Sequence, residues 1–245
     1  MPDNRFMRTE ALLGSDALKK LRNSTVMIVG VGAVGGYALE ALARAGVGKF
    51  VIVDFDVFDI TNINRQILAL SSTVGRKKID VAQERLLDIN PKAKVKTLDL
   101  FVNDETIPQI LKQKVDFVID AIDSLNPKCQ LAEALYSTDI PFISSMGAAI
   151  KTDPSKIFYG SLNQTKNCGL AKFMRKRLKK RGLDLSKICC VSSTEQCSLP
   201  ETAIFETKET PTQGRKRNTL GSLPTITAIF GLTIANEVIK TLTLQ

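Results

Sequence analysis

Three glycines in the run Gly30-Val-Gly32-Ala-Val-Gly35 follow the apolar stretch 26–29 and stand at the start of a helical pattern. Few architectures put such a turn between a strand and a helix. Gly30 permits the tight turn, Gly32 lets backbone approach a ligand, and Gly35 lets helix and strand pack closely, with the helix N-terminus facing a phosphate or ribose. An acid, Asp54, ends the next strand pattern, where a ribose hydroxyl would need it. This fingerprint does not by itself separate NAD from ATP.

The first 150 residues repeat the same alternation. Short strand-like runs at Val26–Gly30, Phe50–Asp54, Val95–Phe101, Asp116–Ala121 and Pro141–Ser145 are separated by amphipathic segments at 34–45 and 76–90, the latter stopping at Asn90-Pro91. Near-continuous apolar strands imply a sheet covered on both faces. The expected fold is therefore α/β: a doubly wound, mostly parallel sheet of Rossmann type. Residues 1–150 read as the nucleotide-binding core. Residues 151–245 read as a basic, partly flexible substrate-binding region, packed on the core as one unit.

Composition supports this division. Residues 1–150 hold 18 Lys/Arg and 18 Asp/Glu, whereas residues 151–245 hold 16 and 7, so the whole net charge of +9 falls in the second part. That part is built to meet something anionic. Within it, 168–181 reads as a helix with Leu170, Phe173, Met174 and Leu178 inward, ended by Gly182. Residues 192–223 read as a long loop, and the apolar stretch 223–244, broken by Asn236, Glu237 and Lys240, reads as a packed helix and not a membrane span. The opening residues lack a secretory pattern, and the five cysteines contain no C-x-x-C pair, so a reducing cytoplasm and no zinc are expected. The chain has no histidine, which excludes Ser-His-Asp and Cys-His triads and histidine-held metals.

The run that separates the nucleotides comes after the first acid. Asp54-Phe-Asp56 is followed by Thr61-Asn62-Ile-Asn64-Arg65-Gln66, then Gly75-Arg-Lys-Lys78, then Ile119-Asp120-Ala-Ile-Asp123. A dehydrogenase has no need of this set. Arg65 and Lys78 put two cations beside a phosphate chain, and Asp56 and Asp123 at strand ends could hold Mg2+. Taken singly, each has a plain explanation, such as a surface arginine, a helix-start lysine or a capping aspartate. Together behind a glycine loop they point to ATP.

This set resembles the adenylating domain shared by ubiquitin-activating enzymes and the activators of bacterial sulfur-carrier proteins. The resemblance covers nearly all of the first 150 residues. It implies Asp54 as ribose ligand, Arg65 and Lys78 as phosphate ligands, Asp123 as the acid near metal and α-phosphate, and Asn62 and Asn64 as polar groups lining the pocket. It also implies that Arg8 reaches into the partner's site in a homodimer. Over almost its full length the chain resembles the tRNA threonylcarbamoyladenosine dehydratase branch, through RFMRTEALLG, Ile143-Ser-Ser-Met-Gly-Ala148, the basic helix ending at Gly182, and Phe230-Gly-Leu-Thr-Ile-Ala-Asn-Glu-Val-Ile239. That branch implies ATP-dependent cyclisation of a threonine-bearing adenosine in tRNA through an acyl-adenylate.

The basic helix argues for RNA without the resemblance. Seven of the ten residues 172–181 are Lys or Arg and none is acidic. One-sign runs repel themselves by a few tenths of a kcal/mol per pair, a cost that an anionic partner offsets. Lys172, Arg175, Lys176, Lys179 and Lys180 are the expected phosphate contacts, with Arg215-Lys216-Arg217 as a second cluster. Cys189, Cys190 or Cys197 could accept an acyl group as a thioester, but intramolecular ring closure requires no covalent enzyme intermediate, so packed cysteines are the simpler reading. Two other functions stay open. One is adenylation of the C-terminal glycine of a ubiquitin-like or sulfur-carrier protein, a possible partner. The other is an NAD-dependent oxidoreductase.

Overall fold

The computed structural model describes residues 4–196, 204–205 and 219–244. Its centre is a seven-stranded sheet in the order β3-β2-β1-β4-β5-β7-β6. The strands are β1 Thr25–Val29, β2 Lys49–Asp54, β3 Lys94–Asp99, β4 Phe117–Asp120, β5 Phe142–Ser145, β6 Ile157–Ser161 and β7 Cys189–Ser193. All neighbours are parallel except β6, which runs antiparallel to β7 at the edge. The strands expected from residues 26–145 are all present, each within two residues of its expected ends.

Helices cover both faces, as apolar parallel strands require. On one face α3 (Gly35–Ala45), α4 (Lys78–Ile89) and α8 (Pro224–Leu244) enclose a core that includes Ile28, Leu39, Leu42, Ile52, Leu86, Phe230 and Ile234. On the other, α5 (Ile107–Leu111) and α6 (Leu125–Tyr136) cover Met27, Val29, Val118 and Leu131. A third cluster joins α6 to α7 (Gly169–Lys180) through Cys129, Met174, Leu178 and Cys190. Two short helices, α1 (Met7–Leu13) and α2 (Ser15–Asn23), precede β1.

The C-terminal helix is long and apolar enough to cross a membrane by length and composition. It is a packed helix here, with Ile226, Phe230, Ile234 and Val238 buried. Its Gly231 lies against α3 so closely that a Cβ would come 2.5 Å from the Val34 carbonyl oxygen.

Three expectations need correction. Residues 157–161 and 189–193 form the last two strands of the main sheet, so Ser192 and Ser193 belong to β7 and not to a loop. Within the same stretch, β8 (Ile204–Phe205) pairs antiparallel with β9 (Thr219–Leu220). In α7, Phe173 does not face inward: it is 56% exposed, and the buried stripe is Ala171, Met174 and Leu178, with Leu170 half-buried. Cys197 and Arg215-Lys216-Arg217, with most of the segment expected to be flexible, lie outside the described residues.

Candidate nucleotide-binding and RNA-facing site

Strands β1 and β4 are neighbours although two strands intervene in sequence, so the connections leave their carboxyl ends in opposite directions. Open α/β sheets bind ligands at such a switch point. Here a cleft of about 830 Å³ lies there. Gly30, Gly32, Asp54, Asp56, Asn64, Arg65, Lys78 and Asp123 all line it.

The glycine turn is fixed by sterics. Gly30 has φ +90°, and a Cβ on it would sit 2.9 Å from the Ala121 carbonyl oxygen. Gly35 does not line the cleft; a Cβ there would come 1.8 Å from the Gly30 carbonyl oxygen, so it serves helix–turn packing. At Gly32 a Cβ would clash with nothing and would meet the Gln66 amide at 3.8 Å, so the lack of a side chain there leaves room on the cleft side for a ligand to approach the backbone.

Asp54 is nearly buried and ties the turn to β2. Its two carboxylate oxygens accept from the Val31 N–H at 2.8 Å and the Asp56 N–H at 2.9 Å. Burial pushes its pKa up, against the pull of Lys78 and the two N–H groups. Lys78 opens α4, is 6% exposed, and donates to Asp56 Oδ2 at 3.1 Å while its ammonium lies 5.8 Å from the Phe58 ring centroid. Arg65 donates to the Thr61 carbonyl at 2.9 Å and Asn64 Oδ1 at 2.8 Å. Burial pulls the Arg65 pKa down and the charge of Asp123 acts the other way, which puts these two groups within electrostatic reach. Asp123 Oδ1 accepts from Ser124 Oγ.

The floor beneath Asp123 is a buried polar network. Lys128 and Asp120 are both fully buried, with Nζ 2.8 Å from Oδ2. Ser144 Oγ donates to the same carboxylate oxygen at 2.6 Å, and Oδ1 accepts from the Ile122 N–H at 3.1 Å. A satisfied network of this kind rigidifies the turn it holds.

Two expected ligands lie elsewhere. Asn62 does not line the cleft; its Oδ1 accepts from the Asp59 N–H and closes the capping box of the one-turn helix at Ile60–Asn62. Arg8 is exposed on α1 and does not line its own chain's cleft. Among the described residues no group of three or more His, Cys, Asp or Glu could hold a metal. Asp56 and Asp123 line the same cleft, with Asp56 paired to Lys78.

The structure adds residues that sequence reasoning missed. Gln66 is buried at the cleft wall, and its Oε1 has no hydrogen-bond partner among the described residues. Its place beside Arg65 was the available signal. The end of β5 at Ser145 and the segment after it, including Met146 and Lys151, line the cleft too. Lys151 Nζ donates to the carbonyls of Asn167 and Glu195, and both Ile150 and Asn167 have positive φ, at 56° and 51°. For a β-branched residue this is a strained conformation, held by the surrounding contacts.

Among the cysteines, Cys168 lines the cleft, whereas Cys189 and Cys190 do not. Burial, followed by the neighbouring Cys189, pushes the Cys190 thiol up to about 12, so it stays protonated near neutral pH. That makes it a poor acyl acceptor.

The N-terminus of α7 reaches the same cleft through Gly169 and Leu170. Lys172, Lys176, Lys179 and Lys180 are exposed along the helix, and none forms an ion pair among the described residues. Arg175 is the exception to the expected RNA-facing set. Its guanidinium donates to the Thr165 carbonyl at 2.8 Å and contacts the Thr165 hydroxyl, so it braces the helix start.

The ThiF family model matches residues 4–245, almost the whole chain. The chain belongs to the ThiF family. The tRNA threonylcarbamoyladenosine dehydratase of Bacillus subtilis is 46% identical over 180 residues, covering 74% of this chain and 71% of the relative. The Escherichia coli protein of that name is 35% identical over 247 residues, covering 96% and 92%. The solved structure of the E. coli enzyme in complex with ATP superposes with a TM-score of 0.87 at 34% identity, over 98% of this chain and 94% of that one.

Proposed function

We propose that this chain is an ATP-dependent tRNA-modifying enzyme that dehydrates N6-threonylcarbamoyladenosine through an acyl-adenylate. The observation that carries the reading is one cleft with two kinds of wall. Asp54, Arg65, Lys78 and Asp123 offer ribose and phosphate contacts, and the foot of a lysine-rich helix adjoins them.

In the first step the threonine carboxylate oxygen attacks the α-phosphorus of ATP, and the bond to pyrophosphate breaks. Arg65 and Lys78 stabilise the charge that gathers on the phosphoryl oxygens, and Asp54 and the open backbone at Gly32 orient the nucleoside. In the second step a nucleophile of the same modification attacks the acyl carbon, loses its proton, and expels AMP. The first attack needs no base because the carboxylate is already ionised, and the second is intramolecular, with its proton released to solvent, so positioning and charge neutralisation dominate. A chain with no histidine can supply that.

The donor set fits a magnesium ion held mainly by phosphates, with Asp123 as its protein ligand, since Mg2+ needs only one or two carboxylates beside a nucleotide. When bound, the ion would neutralise phosphate charge. Asp56 holds the Lys78 ammonium in place.

A homodimer completes the site in this reading: Arg8, exposed and absent from the lining of its own chain's cleft, reaches the partner's cleft. Residues 1–150 bind ATP, and Lys172, Lys176, Lys179 and Lys180 of the 151–245 part bind tRNA phosphates. The four described cysteines are all free, which suits a cytoplasmic enzyme. The test is direct. Modified tRNA incubated with the protein and ATP should yield a nucleoside lighter by one water, with AMP and pyrophosphate in equal amounts. Unchanged nucleoside despite ATP turnover would reject the reading.

A further inference from the structure

The exposed face of α7 has an order that phosphate binding alone does not explain. Opposite the buried stripe Ala171, Met174 and Leu178 lie Gly169, Phe173, Lys176 and Lys180, spaced 4, 3 and 4 residues apart and thus on one line of the helix. Gly169 belongs to the cleft wall. One turn further stands Phe173, 56% exposed, with Lys172 exposed beside it. A large aromatic ring left in water at this position forgoes the favourable burial that its neighbours on the other face obtain. The cations on both sides of it match a polyanion.

We propose that Phe173 stacks on an unpaired nucleobase next to the nucleotide whose carboxylate enters the cleft, while Lys172, Lys176 and Lys180 follow the adjoining phosphates. The inference rests on the tRNA reading above and sharpens it: α7 selects a single-stranded loop and not a duplex. Bases in a duplex are stacked on each other and present no free face. Splayed-out bases of a loop are recognised by stacking on aromatic side chains interleaved with cations.

The experiment compares binding of labelled unfractionated tRNA with a fully paired RNA duplex of equal length, at low and moderate salt. Phe173→Leu keeps an apolar side chain but removes the π face, and Phe173→Tyr keeps the face. Because the ring is exposed, neither should alter the melting temperature. Phe173→Leu should weaken tRNA binding about fivefold to a hundredfold, the range expected for removing one stack, and leave duplex binding and the salt slope unchanged. Phe173→Tyr should bind like the parent. The double variant Lys176→Ala/Lys180→Ala should weaken both RNAs and flatten the salt dependence by about one unit of log slope for each lysine–phosphate pair removed. Parental tRNA binding in Phe173→Leu overturns the stack, as does an equal loss on tRNA and duplex. A parent protein that binds neither RNA overturns the tRNA reading itself.

Discussion

Lys128 and Asp120 have no access to solvent, and Nζ lies 2.8 Å from Oδ2 and 3.3 Å from the Asp120 carbonyl oxygen. Lys128→Met keeps the volume and the apolar stem but leaves the carboxylate buried without its counter-charge. Removing one partner of such a pair costs about 3–5 kcal/mol. Asp120 would retain the Ser144 hydroxyl and the Ile122 N–H, so the low end, about 3 kcal/mol, applies. That is a factor of roughly 100 or more in the folding equilibrium, against a total stability of about 5–15 kcal/mol. In urea denaturation, with a slope of about 3 kcal/mol/M, the midpoint should fall by about 1 M at unchanged slope. Asp120→Asn added to Lys128→Met removes the orphaned charge while keeping an acceptor for Ile122, so the double variant should be more stable than the single one. Because Ile122 lies in the turn that carries Asp123, adenylation should fall in Lys128→Met even well below its melting range. A midpoint shift under about 0.3 M, or a double variant no better than the single, would mean that Lys128 does not neutralise a buried charge on Asp120.

Arg65→Ala and Asp123→Ala should each lower ATP–pyrophosphate exchange by about a hundredfold or more, the usual cost of removing one group at a developing charge, with unchanged melting curves. Normal exchange in either variant removes that residue from the mechanism. Mixing Arg8→Ala with Asp123→Ala subunits should restore part of the activity through one hybrid site, and a protein that light scattering shows to be strictly monomeric would sink this. Glu40 accepts from Arg44 and Arg85; burial raises its pKa, but the two guanidiniums outweigh that and hold it below the ordinary 4.5. A depressed carboxyl contributes stability above 4.5 that is lost as pH falls through its folded value, so Glu40→Gln should flatten the decline of melting temperature below about pH 4.5. An unchanged decline contradicts the pairing.

The sequence carried the central strands because parallel strands buried on both faces read as continuous apolar runs, such as Phe50–Val53 and Phe117–Ile119. The edge of the sheet did not read so. Strand β7 hides two serines, Ser192 and Ser193, in the core, so they read as the start of a loop, and β6, half-exposed and containing Gly160, shows no continuous apolar run. Phe173 was misplaced because helical periodicity favours the largest apolar residue, whereas the small Ala171 completes the buried stripe. Gly30, Gly32, Asp54 and Asp123 line the cleft because they stand at or just after strand carboxyl ends, which local spacing reveals, whereas the N-x-N-R-Q run lies in the turns after β2 and brings Asn64 and Arg65 but not Asn62 to the cleft. Cys168 and Lys151 reach the cleft only through tertiary packing, which no local spacing encodes.

In the proposed reaction the cleft activates an RNA-borne carboxylate by adenylation. Labelled pyrophosphate exchange into ATP, measured with purified protein, isolates that step. Threonylcarbamoyladenosine-containing tRNA should trigger exchange, while unmodified tRNA and a ubiquitin-like or sulfur-carrier protein ending in glycine should not. Exchange driven by the carrier protein and indifferent to modified tRNA would mean that the cleft activates a protein carboxylate and not an RNA-borne one.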